Sequence, residues 1–372
     1  MEVTILMDAY KILSYLQNKK NVLLMGAPGT GKSMLMNEVA LAFESAVTIA
    51  APTNIPGAAI PIPANPEPNT IGALPLMQRN NRKVFRTTLH QNSKYRDFLT
   101  GITPTCDGNE GFQISKGILY RANEFAKQPD SAALLIIDEL NRGPAIEVFG
   151  GSLVALESNK RLSNENTPTP NTHYFEILSP TTSDYEEYAL SPHLYILAAI
   201  NQADVSVAPL DVAFLRRWQS TLLLPDYTSL YDNFGVNADD TIAETSTCAQ
   251  DVYAVAIKAL ETINKKITAG RGAEYQLGQG VFLSTQPEGN TVDKALDFVL
   301  DCWSMIYSHL SELFFGDVNA MAYLLNADAN GSPYHLQEVN FAGETRNVLT
   351  CDNLTHENIY SLYCSLLEDP DQ

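Results

Sequence analysis

The chain has 372 residues, 45% of them hydrophobic and 18% charged, a globular mixture that excludes wholesale disorder. Lys+Arg number 24 against Asp+Glu 43, a net charge of −19, so the average surface repels phosphate backbones and general nucleic-acid coating is excluded. The five cysteines (Cys106, Cys248, Cys302, Cys351, Cys364) form no CxxC and the histidines no HExxH, which argues against a disulfide framework or a zinc site.

Taken in chain order, Ile5, Leu6, Ala9, Ile12, Leu13 and Leu16 predict an amphipathic helix over 5–18. Glu2 and Asp8 stand where a signal peptide would be basic, so no leader is expected. An apolar strand follows at 21–25, then a glycine-rich turn, then a helix from Lys32 to about Phe43. Seven prolines between 52 and 75 predict a long loop or insertion (about 52–80), because proline removes donors and fixes φ. Residues 79–96 carry Arg79, Arg82, Lys83, Arg86, Lys94 and Arg96 with no acid among them. This stretch either lines a pore or faces a partner, or is a solvated strand and loop.

Further along, a strand is expected at 84–90, a helix at 115–127, a buried strand at 134–137, a helix at 146–158, turns at 163–172 and an apolar strand at 194–200. Alternating helices with uniformly apolar strands predict a parallel sheet covered on both faces. Helices at 249–266, 291–314 and 356–367 predict a mostly helical second domain. The expected division is 1–228 for the α/β nucleotide-binding domain and 229–372 for the helical lid and C-terminal region. No apolar run approaches a membrane span, so a soluble cytoplasmic protein without membrane contact is expected.

The strongest chemical signal is Gly26-Ala27-Pro28-Gly29-Thr30-Gly31-Lys32-Ser33, which fits G-x-x-x-x-G-K-[ST] between a strand and a helix. Glycines let backbone N–H groups turn onto phosphate oxygens, and the helix adds its positive end. Lys32 is suited to the β- and γ-phosphates and the Ser33 hydroxyl to Mg²⁺; Met34 completes the nucleotide-binding set. Leu134-Leu135-Ile136-Ile137-Asp138-Glu139 is an apolar strand that ends in two acids, at the carboxyl edge where open α/β sheets bind ligands. Asp138 is the candidate for the Mg²⁺ shell and Glu139 for polarising the attacking water. Asn201, at the tip of the next apolar strand, either senses the γ-phosphate or forms a turn. Arg216 and Arg217 are either surface and salt-bridge residues or a source of transition-state charge stabilisation across a subunit boundary.

Together these motifs resemble an AAA+ NTPase, and within that class the McrB type. Residues 89–104 (LHQNSKYRDFLTGITP) are similar to that family's FHQSYSYEDFxxGIxP, 136–143 (IIDELNRG) to IIDEINRG, 200–206 (INQADVS) to MNTADRS, and 275–282 (YQLGQGVF) to FQIGHSYF; 306–317 resembles IxPLLxEYFxxD. The chain departs at Gln202, Val205, Leu215, Gln279 and Gly280. The resemblance implies a P-loop NTPase fold, a doubly wound parallel sheet followed by a helical lid. It implies hydrolysis of ATP or GTP with Mg²⁺, in a homo-oligomeric, hexameric ring driving a McrC-like nuclease or other effector against foreign DNA. Asn141 would orient water beside Glu139, Asn201 would sense the γ-phosphate, and Arg216 or Arg217 would be the trans-acting finger. McrB-type chains of restriction systems also carry an N-terminal DNA-recognition domain; with the phosphate loop at residue 26 none is expected in front, so DNA would be reached through a partner. A MoxR-like remodelling ATPase and a nucleotide-dependent switch or scaffold are the alternatives.

Overall fold

The computed structural model of the chain describes residues 2–45, 79–105, 111–202, 210–285 and 287–368. The proline-rich stretch 52–75, and residues 203–206 of the segment similar to MNTADRS, lie outside the described residues. The chain divides into two units: one takes the described residues within 1–25, 32–201 and 206–221, the other those within 26–31, 202–205 and 222–372.

The first unit is an α/β structure. Helix α1 (Glu2–Lys19) leads into β1 (Asn21–Gly26), and helix α2 (Lys32–Glu44) follows. Then come β2 (Asn81–Thr88), α3 (Ile118–Lys127), β3 (Ser131–Asp138), β4 (Leu194–Asn201) and β5 (Gln219–Leu222). The sheet order is β2-β3-β4-β1-β5. β2 runs parallel to β3, with Asn81 opposite Ser131 and Thr88 opposite Asp138. β3 runs parallel to β4, with Ala133 opposite Leu194 and Ile137 opposite Ala198. Seven of the eight residues in β3, and seven of the eight in β4, are buried. Strands covered on both faces have no polar side to alternate with, which is why they read as continuous apolar runs. Both emerge at polar tips, Asp138 and Asn201, so the sheet's carboxyl edge gathers the chemistry. The core behind it holds Leu23, Leu119, Leu135, Ile137, Ile196 and an aromatic knot in which the Phe98 and Phe149 rings meet edge to face at 4.6 Å.

Several expected elements shift. The strand expected at 84–90 spans Asn81–Thr88. The helix expected at 115–127 begins only at Ile118, because 112–116 pairs antiparallel with 100–104. The helix expected at 146–158 is helical only over Ala145–Phe149. Gly150 at φ +47° breaks it, and 3₁₀ turns follow over 150–156 and 158–160.

The second unit holds α4 (Tyr227–Phe234), α5 (Ala249–Gly270), α6 (Val292–Leu313), α7 (Val318–Leu324), β6 (Tyr334–Phe341), β7 (Glu344–Cys351) and α8 (Ile359–Ser365). On α5, Val252, Val255, Ala256, Ala259, Leu260, Ile263 and Ile267 are buried, the i, i+3, i+4 stripe of a core-facing helix. Trp303 anchors the packing, with its indole N–H donating to the Tyr334 hydroxyl at 3.0 Å. The β6–β7 hairpin is an addition to the expected helical region: Tyr334 lies opposite Cys351 and Phe341 opposite Glu344. Among the described residues no helix is long and apolar enough to cross a membrane.

Candidate functional site

β1 delivers the chain into the loop 26–31, and α2 begins at Lys32. Gly29 (φ +77°) and Gly31 (φ +87°) adopt left-handed backbone that only glycine takes without strain. The Thr30 hydroxyl donates to the Ala27 carbonyl at 2.9 Å and closes the loop on itself. Two further loop carbonyls are tied to the turn at 278–280. The Gly278 N–H donates to Pro28 O at 3.1 Å and the Gly280 N–H to Gly29 O at 2.8 Å. These bonds fix the sense in which the loop peptides point, which a nest of N–H groups needs if it is to hold an anion. A Cβ on Gly278 would sit 2.1 Å from the Gly29 carbonyl carbon. Gln279, between them, accepts the Asp226 N–H on its Oε1 at 3.1 Å. Replacing Gly278 by alanine is therefore expected to displace the loop and weaken nucleotide binding by about 10-fold or more, the cost of a backbone clash with no flexible neighbour to yield. Fluorescent-nucleotide titration checks this, with circular dichroism to confirm folding.

At the start of α2 the Lys32 ammonium has its pKa lowered to about 8, chiefly by burial, with the Asp138 carboxylate pulling it back up. Ser33 Oγ donates to Asp138 Oδ2 at 3.3 Å. The other Asp138 oxygen accepts the Glu139 N–H at 2.9 Å. A hydroxyl and a carboxylate this close form a hard-oxygen pair suited to Mg²⁺, which takes one or two protein ligands and completes its shell with phosphate and water. Among the described residues there is no group of three or more His, Cys, Asp or Glu that could hold a metal ion.

Glu139 sits at φ +51°, ψ +46°, left-handed for a residue with a side chain. Such strain is concentrated at functional sites, where surrounding structure enforces it. The Glu139 carboxylate lies 3.3 Å from the Arg142 guanidinium; both side chains are about half exposed, so the pair holds the carboxylate only weakly. The Asn141 amide donates to the Asn201 carbonyl at 3.0 Å and joins the tips of β3 and β4. The Asn201 Oδ1 is buried and has no hydrogen-bond partner among the described residues. A buried acceptor left open in this way awaits a donor, such as a positioned water.

The structure thus brings Lys32, Ser33, Asp138 and Glu139 into one group and links Asn141 to Asn201. It separates the two arginines. The Arg217 side chain is 6% exposed, lies 3.4 Å from Glu157, and donates to the Ala213 carbonyl. Arg216 is exposed. Met34 is also exposed and makes no case as a binding residue beyond its place in the motif. Two neighbours of these residues were not legible in the sequence. Gly278 was visible only as part of a lid motif, and its contact with the loop needs three dimensions. Arg86 was one charge in a basic stretch, yet it lines a cavity of about 290 Å³ together with Ser33 and Asp138.

Residues 73–218, which include Asp138, Glu139, Asn201 and both arginines, match the AAA domain of the dynein-related subfamily. The chain is 27% identical over 285 residues to the type IV methyl-directed restriction enzyme EcoKMcrB subunit of Escherichia coli, covering 76% of this chain and 51% of that one. It is 29% identical over 227 residues to the type II restriction enzyme BsuMI component YdiS of Bacillus subtilis, covering 58% of this chain and 60% of the relative. The chain therefore spans about half to three fifths of the length of these relatives. Among solved structures it is similar to Caenorhabditis elegans PCH-2, at 13% identity and a TM-score of 0.34 over 80% of this chain and 69% of that one.

Proposed function

We propose that this chain, which resembles AAA+ proteins of the McrB type, binds a nucleoside triphosphate with Mg²⁺ and hydrolyses its γ-phosphoryl group to drive a partner. The observation that carries this reading is the contact between Ser33 and Asp138, 3.3 Å apart, beside the part-buried Lys32 side chain. In this reading the loop amides and Lys32 bind the β- and γ-phosphates, and Ser33 and Asp138 hold the cation. Mg²⁺ bound there supplies charge neutralisation on the phosphate oxygens. Glu139 accepts a proton from the attacking water, whose oxygen bonds to the γ-phosphorus as the bond to the bridging oxygen breaks. The products are a nucleoside diphosphate and orthophosphate. Asn201 Oδ1 accepts a hydrogen bond from the water or from a group on the γ-phosphate side, and Asn141 fixes the Asn201 backbone.

Both curated relatives are named as restriction-enzyme components, so the partner we propose is a McrC-like nuclease or other effector subunit that contacts DNA on this protein's behalf. The acidic net charge of −19 favours that indirect route. The base, ATP or GTP, is not read by Lys32 or the metal pair, which meet only phosphates. Magnesium-dependent release of orthophosphate from both nucleotides, with and without the genomic neighbour, tests the reading; no hydrolysis under any of these conditions contradicts it.

We further assign the trans-acting arginine to Arg216, within a ring of identical chains, because Arg217 is held in place by Glu157. Arg216→Ala is expected to lower kcat by about 10³-fold with nucleotide affinity nearly unchanged. Mixing R216A with E139Q chains should restore activity at interfaces that pair an intact arginine with an intact glutamate. Arg217→Ala should instead lower Tm. Failure of the mixture to recover any activity refutes the assignment.

A further inference from the structure

The Ser33–Asp138 pair also lines a cavity of about 290 Å³, whose Asn37, Arg86 and Thr88 the hydrolytic reading leaves unused. α2 contributes Ser33 and Asn37, one turn apart on the same helix face. The carboxyl end of β2 contributes Arg86, Thr87 and Thr88, and in register Thr88 lies opposite Asp138. Met36 and Ile136, 2% and 3% exposed, are the apolar members of the lining. At about 30 Å³ per water the space holds roughly ten waters, room for a small tetrahedral anion with part of its hydration shell.

The lining carries the hydroxyls of Ser33 and Thr88, one amide, one carboxylate and one guanidinium. Arg86 donates from Nη1 to Asn37 Oδ1 at 2.9 Å, a contact that anchors the planar guanidinium on α2 without neutralising it. No carboxylate among the described residues lies within ion-pair distance of Arg86, although acids outnumber cations 43 to 24 in the chain. A guanidinium fork with unengaged donors beside the Thr88 hydroxyl suits a phosphate oxyanion. Asp138, the one acid in the lining, is a member of the cation pair.

We propose that this cavity is an orthophosphate subsite, anchored by Arg86 with Thr88, that receives the phosphate product as it leaves the metal pair. The proposal rests on the hydrolytic reading for the origin of the phosphate, but the subsite itself is a binding site and is tested by binding. The edge-strand arginine is then a product-binding residue, not part of a pore-facing basic patch. Its neighbours in that stretch are engaged elsewhere: Arg82 donates to the Phe43 carbonyl, and Lys83 lies over the Phe85 and Phe125 rings.

The test is titration of the full-length protein with inorganic phosphate, followed by ³¹P line broadening, for wild type, R86A, R86K and K32A, with nucleotide affinity measured separately on each. Phosphate is expected to bind wild type and K32A alike and to bind R86A about 10-fold more weakly. R86K should fall between, because the charge remains without the fork. Nucleotide affinity should collapse in K32A and hold within about twofold in R86A. If R86A binds phosphate as wild type does, or if K32A alone loses it, the phosphate sits on the loop and the subsite is overturned. Absence of saturable phosphate binding to wild type also overturns it. Absence of nucleotide binding to wild type overturns the hydrolytic reading instead, and is read from the separate nucleotide titration.

Discussion

Glu139→Gln is expected to lower kcat by about 10²–10⁴-fold while leaving nucleotide affinity within about twofold. The substitution keeps size and removes the proton acceptor. The side chain is about 40% exposed and its ion pair to Arg142 is a solvated contact, so folding should not suffer. The left-handed backbone at this residue is independent of the side chain's terminal group and should persist, which keeps Asp138 in place through the Glu139 N–H. Single-turnover hydrolysis with saturating Mg²⁺ and nucleotide measures the effect. An unchanged rate would remove Glu139 as the base and leave the strained conformation without a role.

Arg161→Met is expected to cost about 3–5 kcal/mol of stability, the largest structural effect of any single substitution considered. Arg161 is 1% exposed. Its Nε and Nη2 donate to the Leu156 carbonyl, each at 3.2 Å, and Nη1 to the Ser191 carbonyl at 3.2 Å and to the Leu194 carbonyl. Nη2 also donates to Asn21 Oδ1 at 2.7 Å, while the Asn21 amide donates to the Leu156 and Arg217 carbonyls. One guanidinium therefore holds the first residues of β1 and β4 and the 3₁₀ turn before it. Burial lowers its pKa to about 9, yet at neutral pH it keeps its charge, satisfied by carbonyl dipoles. Removing it strands several buried acceptors at once. Lysine cannot make the fork and should recover little. The same strands deliver the phosphate loop and Asn201 at their other ends, so loosening their starts should also blur the site. Urea unfolding measures the loss, and a change below about 1 kcal/mol would show that water replaces these bonds readily.

The parts of this molecule legible in its sequence are those whose cause is local. β1, β3 and β4 announce themselves because a strand covered on both faces is apolar at every position. Lys32, Ser33, Asp138 and Glu139 are singled out by short motifs at strand ends, and the folded chain places them near one another. Elements fixed by distant pairing did not show. Residues 112–116 carry helix-compatible side chains, and only their antiparallel partners at 100–104 make them a strand. The β6–β7 hairpin turns through Ala342 and Gly343, both left-handed at φ +56° and +86°. Alanine is a poor signal for such a turn, since Asn, Asp or Gly is the usual first residue. In the site, the split between Arg216 and Arg217 depends on Glu157, sixty residues earlier in the chain. The roles of Gly278 and Arg86 depend on surfaces that meet only in the folded chain.

The most direct measurement is equilibrium binding of Mg²⁺–nucleoside triphosphate to wild type and Lys32→Ala between pH 7 and 9.5. Wild type should bind one nucleotide per chain, and K32A should bind about 10–100-fold more weakly at pH 7, the worth of a charge-assisted phosphate contact. In the free protein the ammonium is protonated below about pH 8 and loses its proton above it, so wild-type affinity should fall as pH rises through that value while K32A stays flat. K32A binding nucleotide as tightly as wild type, with the same pH profile, would contradict a triphosphate seated at the start of α2.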